Sequence, residues 1–174
     1  MYLTELYRFY ERMTQDPQSG MPPEGMSAEA IHFALVIGED GSLKGVHDLR
    51  DSKGKPLRRF VPAAVKRTST KVLPNFLWDN TGYVLGVDGK GNPAFTARKY
   101  ESFRTFHRQL CAASPDRHAR ALLAFFDRWT PEQFGSIGER EALLDSNVVF
   151  QLEGDTDFLH QQPSLYSLWQ DSLA

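Results

Sequence analysis

The spacing of apolar residues changes character partway along the chain. Across residues 31–87 they come in short runs rich in β-branched and aromatic side chains, cut by Gly, Asn, Asp and Pro. Across residues 96–129 they recur at every third or fourth position, as in Tyr100, Phe103, Phe106 and Leu110. The first pattern suits half-buried strands and the second suits one face of a helix, so neither an all-helical nor an all-strand fold satisfies both. The expected class is α+β: a mixed, mainly antiparallel sheet packed against several α-helices.

Local signals fill in this frame. Leu3, Leu6, Tyr7, Tyr10 and Met13 form one stripe of a helix over residues 2–15, and the Pro- and Gly-rich residues 16–27 form a connection. Residues 31–37 and 43–49, around Gly38-Glu39-Asp40-Gly41-Ser42, predict a β-hairpin. Residues 51–56 predict a mobile surface loop, with a strand starting at residues 59–61. Residues 75–78 and 81–87 predict two strands around Asp79-Asn80, with a turn at residues 88–92. A helix over residues 96–113 is followed by Ser114-Pro115-Asp116, which caps a second helix over residues 117–129. Thr130-Pro131-Glu132 signals a third helix start, residues 139–144 a short helix, and residues 147–152 a last strand.

The chain has 174 residues, 41% of them apolar and 24% charged, enough for one domain with its own core. Its longest uncharged apolar runs fall far short of the roughly 20 residues of a membrane helix, and no signal peptide is evident. A soluble cytoplasmic protein is the expectation. Cys111 is the single cysteine, so no internal disulfide is possible.

The net charge of −2 hides a segregation. Between Lys44 and Lys71 stand nine basic residues (Lys44, Arg50, Lys53, Lys55, Arg58, Arg59, Lys66, Arg67, Lys71) and two acidic ones (Asp48, Asp51), or +7. The remainder carries −9. Such a block attracts a polyanion through counterion release, or simply solvates a loop.

Catalytic and cofactor motifs are weak. Gly86-Val87-Asp88-Gly89-Lys90-Gly91 lacks the Lys-Ser/Thr ending of a phosphate-binding loop, and no Gly-x-Ser-x-Gly occurs. The five histidines are dispersed; His107 and Cys111, four apart on a helix, lack the further ligands zinc requires. Asp155 with Asp157, or Asp48 with Asp51, has the charge to hold magnesium but also the setting of turn and cap residues. The expectation is a protein without catalysis, cofactor or metal. What remains is the run over residues 65–86, which interleaves Lys66, Arg67 and Lys71 with hydroxyls, the amides Asn75 and Asn80, and the aromatics Phe76, Trp78 and Tyr83. Cations and hydroxyls hold phosphates and amides read base edges, whereas aromatics at strand positions more often pack a core.

At these residues the sequence resembles the large subunit of the type I-C (Dvulg subtype) CRISPR Cascade complex. The likeness lies in Leu3-Thr4-Glu5-Leu6-Tyr7 with Tyr10-Glu11-Arg12, in residues 31–37, and in Asp48-Leu49-Arg50-Asp51. It continues in Val61-Pro62, Val65-Lys66-Arg67, the long string over residues 74–86, Phe158-Leu159-His160, Pro163 and Trp169. Members of that family are much longer, so the resemblance implies that residues 1–174 form a single N-terminal domain with a basic loop segment at residues 44–71. It further implies a place near the 5′ handle of a crRNA-bound complex, where this domain senses the protospacer-adjacent motif, helps open the target duplex, and contributes to recruiting the helicase-nuclease.

The guide then reads most of the sequence, leaving the protein a short motif and backbone contacts. On chemistry and location, Lys53, Lys55, Arg58, Arg59, Lys66, Arg67 and Lys71 are the candidates for double-stranded target DNA phosphates, and Asn75 and Asn80 for base edges. A wedge would come from residues 53–55 or 75–80. The alternative is a protein-interaction module whose cations dock on another Cascade subunit, the recruited helicase-nuclease or an acidic phage anti-CRISPR inhibitor.

Overall fold

A computed structural model describes residues 22–173 of the chain. The helix expected at residues 2–15 lies outside them. Strands β1 (Met26–Ile31) and β4 (Leu57–Pro62) form an antiparallel ribbon. Strands β2 (Phe33–Ile37), β3 (Leu43–Asp48), β5 (Trp78–Asn80) and β6 (Asn147–Leu152) form a sheet of order β3-β2-β6-β5. All its pairings are antiparallel except β2 with β6. The helices are α1 (Thr81–Val84), α2 (Pro93–Cys111), α3 (Arg117–Arg128), α4 (Arg140–Leu143) and α5 (Pro163–Ser172). The class is α+β, as the change of periodicity implies.

Strand alternation sorts the sheet into two faces. Phe33, Leu35 and Ile37 of β2, with Val148, Phe150 and Leu152 of β6, enter the main core against the helices. Ala34 and Val149 face the other way, into a smaller core closed by Ile31 and Val61 of the ribbon together with Leu49, Trp78 and Phe158. Helix α2 contributes Thr96, Tyr100, Phe103, His107 and Cys111, buried at spacings of three and four.

Several expectations shift by identifiable causes. The run over residues 31–37 is two strands, because His32 breaks it: its backbone N–H donates to Asn147 O at 2.9 Å and its ring Nδ1 accepts from Asn147 N at 3.1 Å. Strand β1 begins inside the anticipated connection, since its Ser, Ala and Glu residues carry no strand signal and pairing with β4 forms it. Residues 51–55 make a hydrogen-bonded turn in which Asp51 Oδ1 accepts from Lys53 N and Lys55 N, both at 2.9 Å. Residues 75–77 are irregular and residues 81–84 are helical rather than strand, because Asn80 Oδ1 accepts from Tyr83 N and starts a turn of helix. The Thr130-Pro131 signal opens a 3₁₀ helix, Pro131–Ser136. Helix α5 was not anticipated, although Pro163 at its first turn and Leu165 with Trp169 on its buried face are helix signals.

The hairpin turn between β2 and β3 supplies a local test. Gly41 has φ +86°, and a Cβ there would sit 2.2 Å from the Ala124 backbone carbon. Both the left-handed conformation and the contact exclude a side chain, so Gly41→Ala is expected to cost about 1–3 kcal/mol. Urea denaturation checks this; an unchanged midpoint would mean the turn and α3 separate freely.

Candidate nucleic-acid interface

Most of the family-like string over residues 74–86 is buried, with Pro74, Asn80 and Gly86 half-buried, and most of its polar groups are engaged within the fold. Asn75 is 3% exposed; its Oδ1 accepts from Val65 N at 2.8 Å, and its backbone N–H donates to Asp79 Oδ2 at 2.9 Å. Asp79 also accepts from its neighbour Asn80 N and from the Arg67 guanidinium. Leu77 takes φ +63°, a left-handed conformation uncommon for leucine, and its N–H donates to His107 Nε2 at 2.9 Å while His107 Nδ1 donates to Phe103 O at 2.7 Å. Trp78 Nε1 donates to Pro62 O at 2.8 Å, tying β5 to the end of β4. Phe76, Trp78 and Tyr83 are core residues, and Asn80 is a half-buried helix cap. In this conformation Asn75 is buried away from a base edge, whereas Asn80 is half-buried with its Oδ1 accepting from Tyr83 N.

This buried segment shapes what surrounds it. Residues 63–74 leave β4 as an excursion whose base is closed by four contacts. Ala64 N donates to Ser27 Oγ at 3.1 Å, Val65 N to Asn75 Oδ1, Arg67 Nε to Leu73 O at 2.7 Å, and Leu73 N to Tyr83 OH at 3.3 Å. The Arg67 side chain lies 3.9 Å from the Tyr83 ring centroid and pairs with Asp79, whose carboxyl is pushed up by burial against the opposing pull of that guanidinium. Arg67 therefore acts inward. Its neighbours Lys66, Thr68, Ser69, Thr70 and Lys71 are exposed at the tip.

The basic block thus divides. Lys53, Lys55 and Arg58 are exposed before or near the start of β4, with Arg58 Nη2 donating to Ala28 O at 2.7 Å. Lys66 and Lys71 follow its end in the chain, and the six-residue strand itself spans about 17 Å. None of these five has a carboxylate partner among the described residues. Arg50 is held by Asp48 through Nε and Nη2, both at 2.9 Å, and its hydrogen bonds lower the Asp48 carboxyl to about 2. Arg59 is half-buried, stacked 5.5 Å over Phe158, and burial lowers its pKa. Of the nine cations, Arg50, Arg59 and Arg67 are thus engaged within the fold.

The other candidates have structural partners too. His107 uses both ring nitrogens in the core, and Asp155 accepts from His118 Nε2 at 2.8 Å and Arg117 Nη2 at 3.1 Å. Among the described residues no three His, Cys, Asp or Glu side chains gather to hold a metal ion, and no helix is long and apolar enough to cross a membrane. Sequence reasoning passed over the outward stripe of α2, where Arg98 is exposed and Phe106 half-buried beside residues 72–74; the spacing 98, 102, 105, 109 was the available signal.

Residues 6–174 match the family described as CRISPR-associated protein (Cas_Csd1). The chain belongs to that family. No curated protein matches it. Csd1 is the family of the type I-C Cascade large subunit, which gives the chain a role in a CRISPR surveillance complex. In this chain the string over residues 74–86 supports the loop at residues 63–74, on which Lys66 and Lys71 are exposed.

Proposed function

We propose that this chain is a non-catalytic DNA-binding domain of the Cascade large subunit, acting in the cytoplasm to sense the protospacer-adjacent motif and help open target duplex. The observation that carries the reading is Lys66 and Lys71, exposed on either side of Thr68-Ser69-Thr70 on a loop pinned by Arg67. Two unpaired ammonium groups and three hydroxyls on a held tip are suited to phosphate contacts, which position a duplex, while the guide RNA reads its sequence. The loop, rather than Asn75 or Asn80, is the element that would approach the groove.

Lys66→Ala with Lys71→Ala is the test, measured as binding of motif-bearing duplex by the assembled complex over a salt series. Each lost phosphate contact lowers the slope of log K against log salt by about 0.9, so the pair is expected to lower it by roughly 2. An unchanged slope would overturn the reading. Both residues are exposed, so stability is expected to stay within about 0.5 kcal/mol.

The placing of Lys53, Lys55 and Arg58 before or at the start of β4, outside the loop at residues 63–74, favours a second role for this group. Lys53, Lys55 and Arg58 would dock on an acidic surface of another Cascade subunit, the recruited helicase-nuclease or an anti-CRISPR inhibitor. Lys53→Ala with Lys55→Ala should then weaken assembly or partner binding while leaving the salt dependence of duplex binding intact.

A further inference from the structure

Beside the loop, the outward face of α2 and residues 72–74 enclose an open groove of about 550 Å³. Its floor is apolar: Val72, Leu73 and Pro74 from the chain following Lys71, and Phe106 from α2. The Phe106 ring is fixed from within by edge-on packing against Phe76 at 6.3 Å and His107 at 5.2 Å. Its rim carries Arg98, exposed and without a carboxylate partner among the described residues, and the polar side chains of Ser102 and Gln109. The one acid in the groove, Glu101, already accepts from Arg104 Nη1 at 3.2 Å and Thr105 Oγ1 at 3.4 Å. The half-buried Phe106 ring beside the exposed Arg98 guanidinium, which lies 5.6 Å over Phe95, with Lys71 one residue before Val72 in the chain, is an arrangement that takes an unpaired base by its flat face and the adjoining phosphate by its charge.

We infer that this groove binds a single-stranded nucleotide segment, with a base against Phe106 and its phosphates held by Arg98 and Lys71. The inference rests on the duplex-sensing reading: a domain that helps open a duplex gains from a place that retains a base once it is unpaired. Binding there opposes re-pairing, because the stacking and phosphate contacts exist only for the open strand.

The test uses the whole chain and fluorescence anisotropy with three probes: a short oligo-dT strand, its abasic analogue of equal length, and a duplex. Oligo-dT should bind more tightly than the abasic strand. Phe106→Leu and Arg98→Ala should each weaken oligo-dT binding about fivefold or more while leaving the duplex probe unchanged. Phe106→Leu keeps the apolar contact with Phe76, and unchanged circular dichroism would exclude misfolding as the cause. Equal binding of the abasic strand, no oligo-dT binding, or insensitivity to both variants would overturn the proposal and leave the groove to a protein partner. Lys66→Ala, which leaves both Arg98 and Lys71 in place, reports separately on the duplex reading: it should weaken duplex binding and leave oligo-dT binding unchanged.

Discussion

Replacing Arg67 with Ala is expected to destabilise the folded chain by about 3–5 kcal/mol, the range for removing one partner of a buried ion pair. Asp79 is 1% exposed, and the carboxylate would be left with only the backbone N–H groups of Asn75 and Asn80 as donors. The guanidinium also closes the loop by donating to Leu73 O and stacking on Tyr83. Urea denaturation measures the loss. Asp79→Asn in the Arg67→Ala background should recover part of it, since a neutral amide oxygen still accepts an N–H and no unpaired charge remains. A loss below about 1 kcal/mol would mean that water reaches Asp79. Because of this structural role, a variant that removes Arg67 together with Lys66 and Lys71 cannot distinguish lost DNA contacts from a collapsed loop. Lys66 and Lys71 must be changed alone.

Acid is expected to unfold the chain in a defined window. Burial lowers both His107 and His160 from 6.5 to about 4. In the unfolded chain both rings take up a proton near pH 6.5, whereas in the folded chain they stay neutral until about pH 4. Between those values the unfolded state binds more protons, so stability is complete above pH 6.5 and is lost as pH falls toward 4. At about 1.4 kcal/mol per proton and pH unit, the two rings together cost about 4 kcal/mol at pH 5 and about 7 kcal/mol near pH 4, comparable with the whole stability of a domain. His107 adds a specific failure: protonation of Nε2 removes the acceptor that holds the Leu77 N–H, and with it the strained turn before β5. Denaturation at pH 7.5 and pH 5 gives the difference, and proton NMR identifies two imidazoles that do not titrate until about pH 4. Equal stability at the two pH values would mean that the rings are accessible to solvent in the folded chain.

What the sequence made legible follows from where periodicity alone decides structure. The β2–β3 hairpin, helices α2 and α3 and strand β6 carry clean alternation or helical spacing with cap residues such as Asp116, whose Oδ1 accepts from His118 N at 2.8 Å. Strand β1 carries no such pattern, because its strand geometry comes from pairing with residues about 30 positions away. The string over residues 74–86 was ambiguous for a different reason. Amides, an acid and aromatics interleaved with cations have the composition of a nucleic-acid reader, and the same composition makes a buried polar network in which each group satisfies a backbone donor. Only tertiary contacts at sequence separations of 10–30 residues distinguish the two. Likewise, nine cations stand in one block of the sequence, but strand β4 runs through its middle and Arg50, Arg59 and Arg67 turn to partners within the fold.

The central claim is that the loop over residues 63–74 is held by its buried base so that Lys66 and Lys71 meet target DNA. A cryo-EM structure of the assembled type I-C complex on motif-bearing duplex tests it most directly. Both ammonium groups are expected within hydrogen-bonding reach of duplex phosphates, with Arg67 still turned inward on Asp79. A structure in which that tip is buried against another subunit, or points away from the nucleic acid, would contradict it.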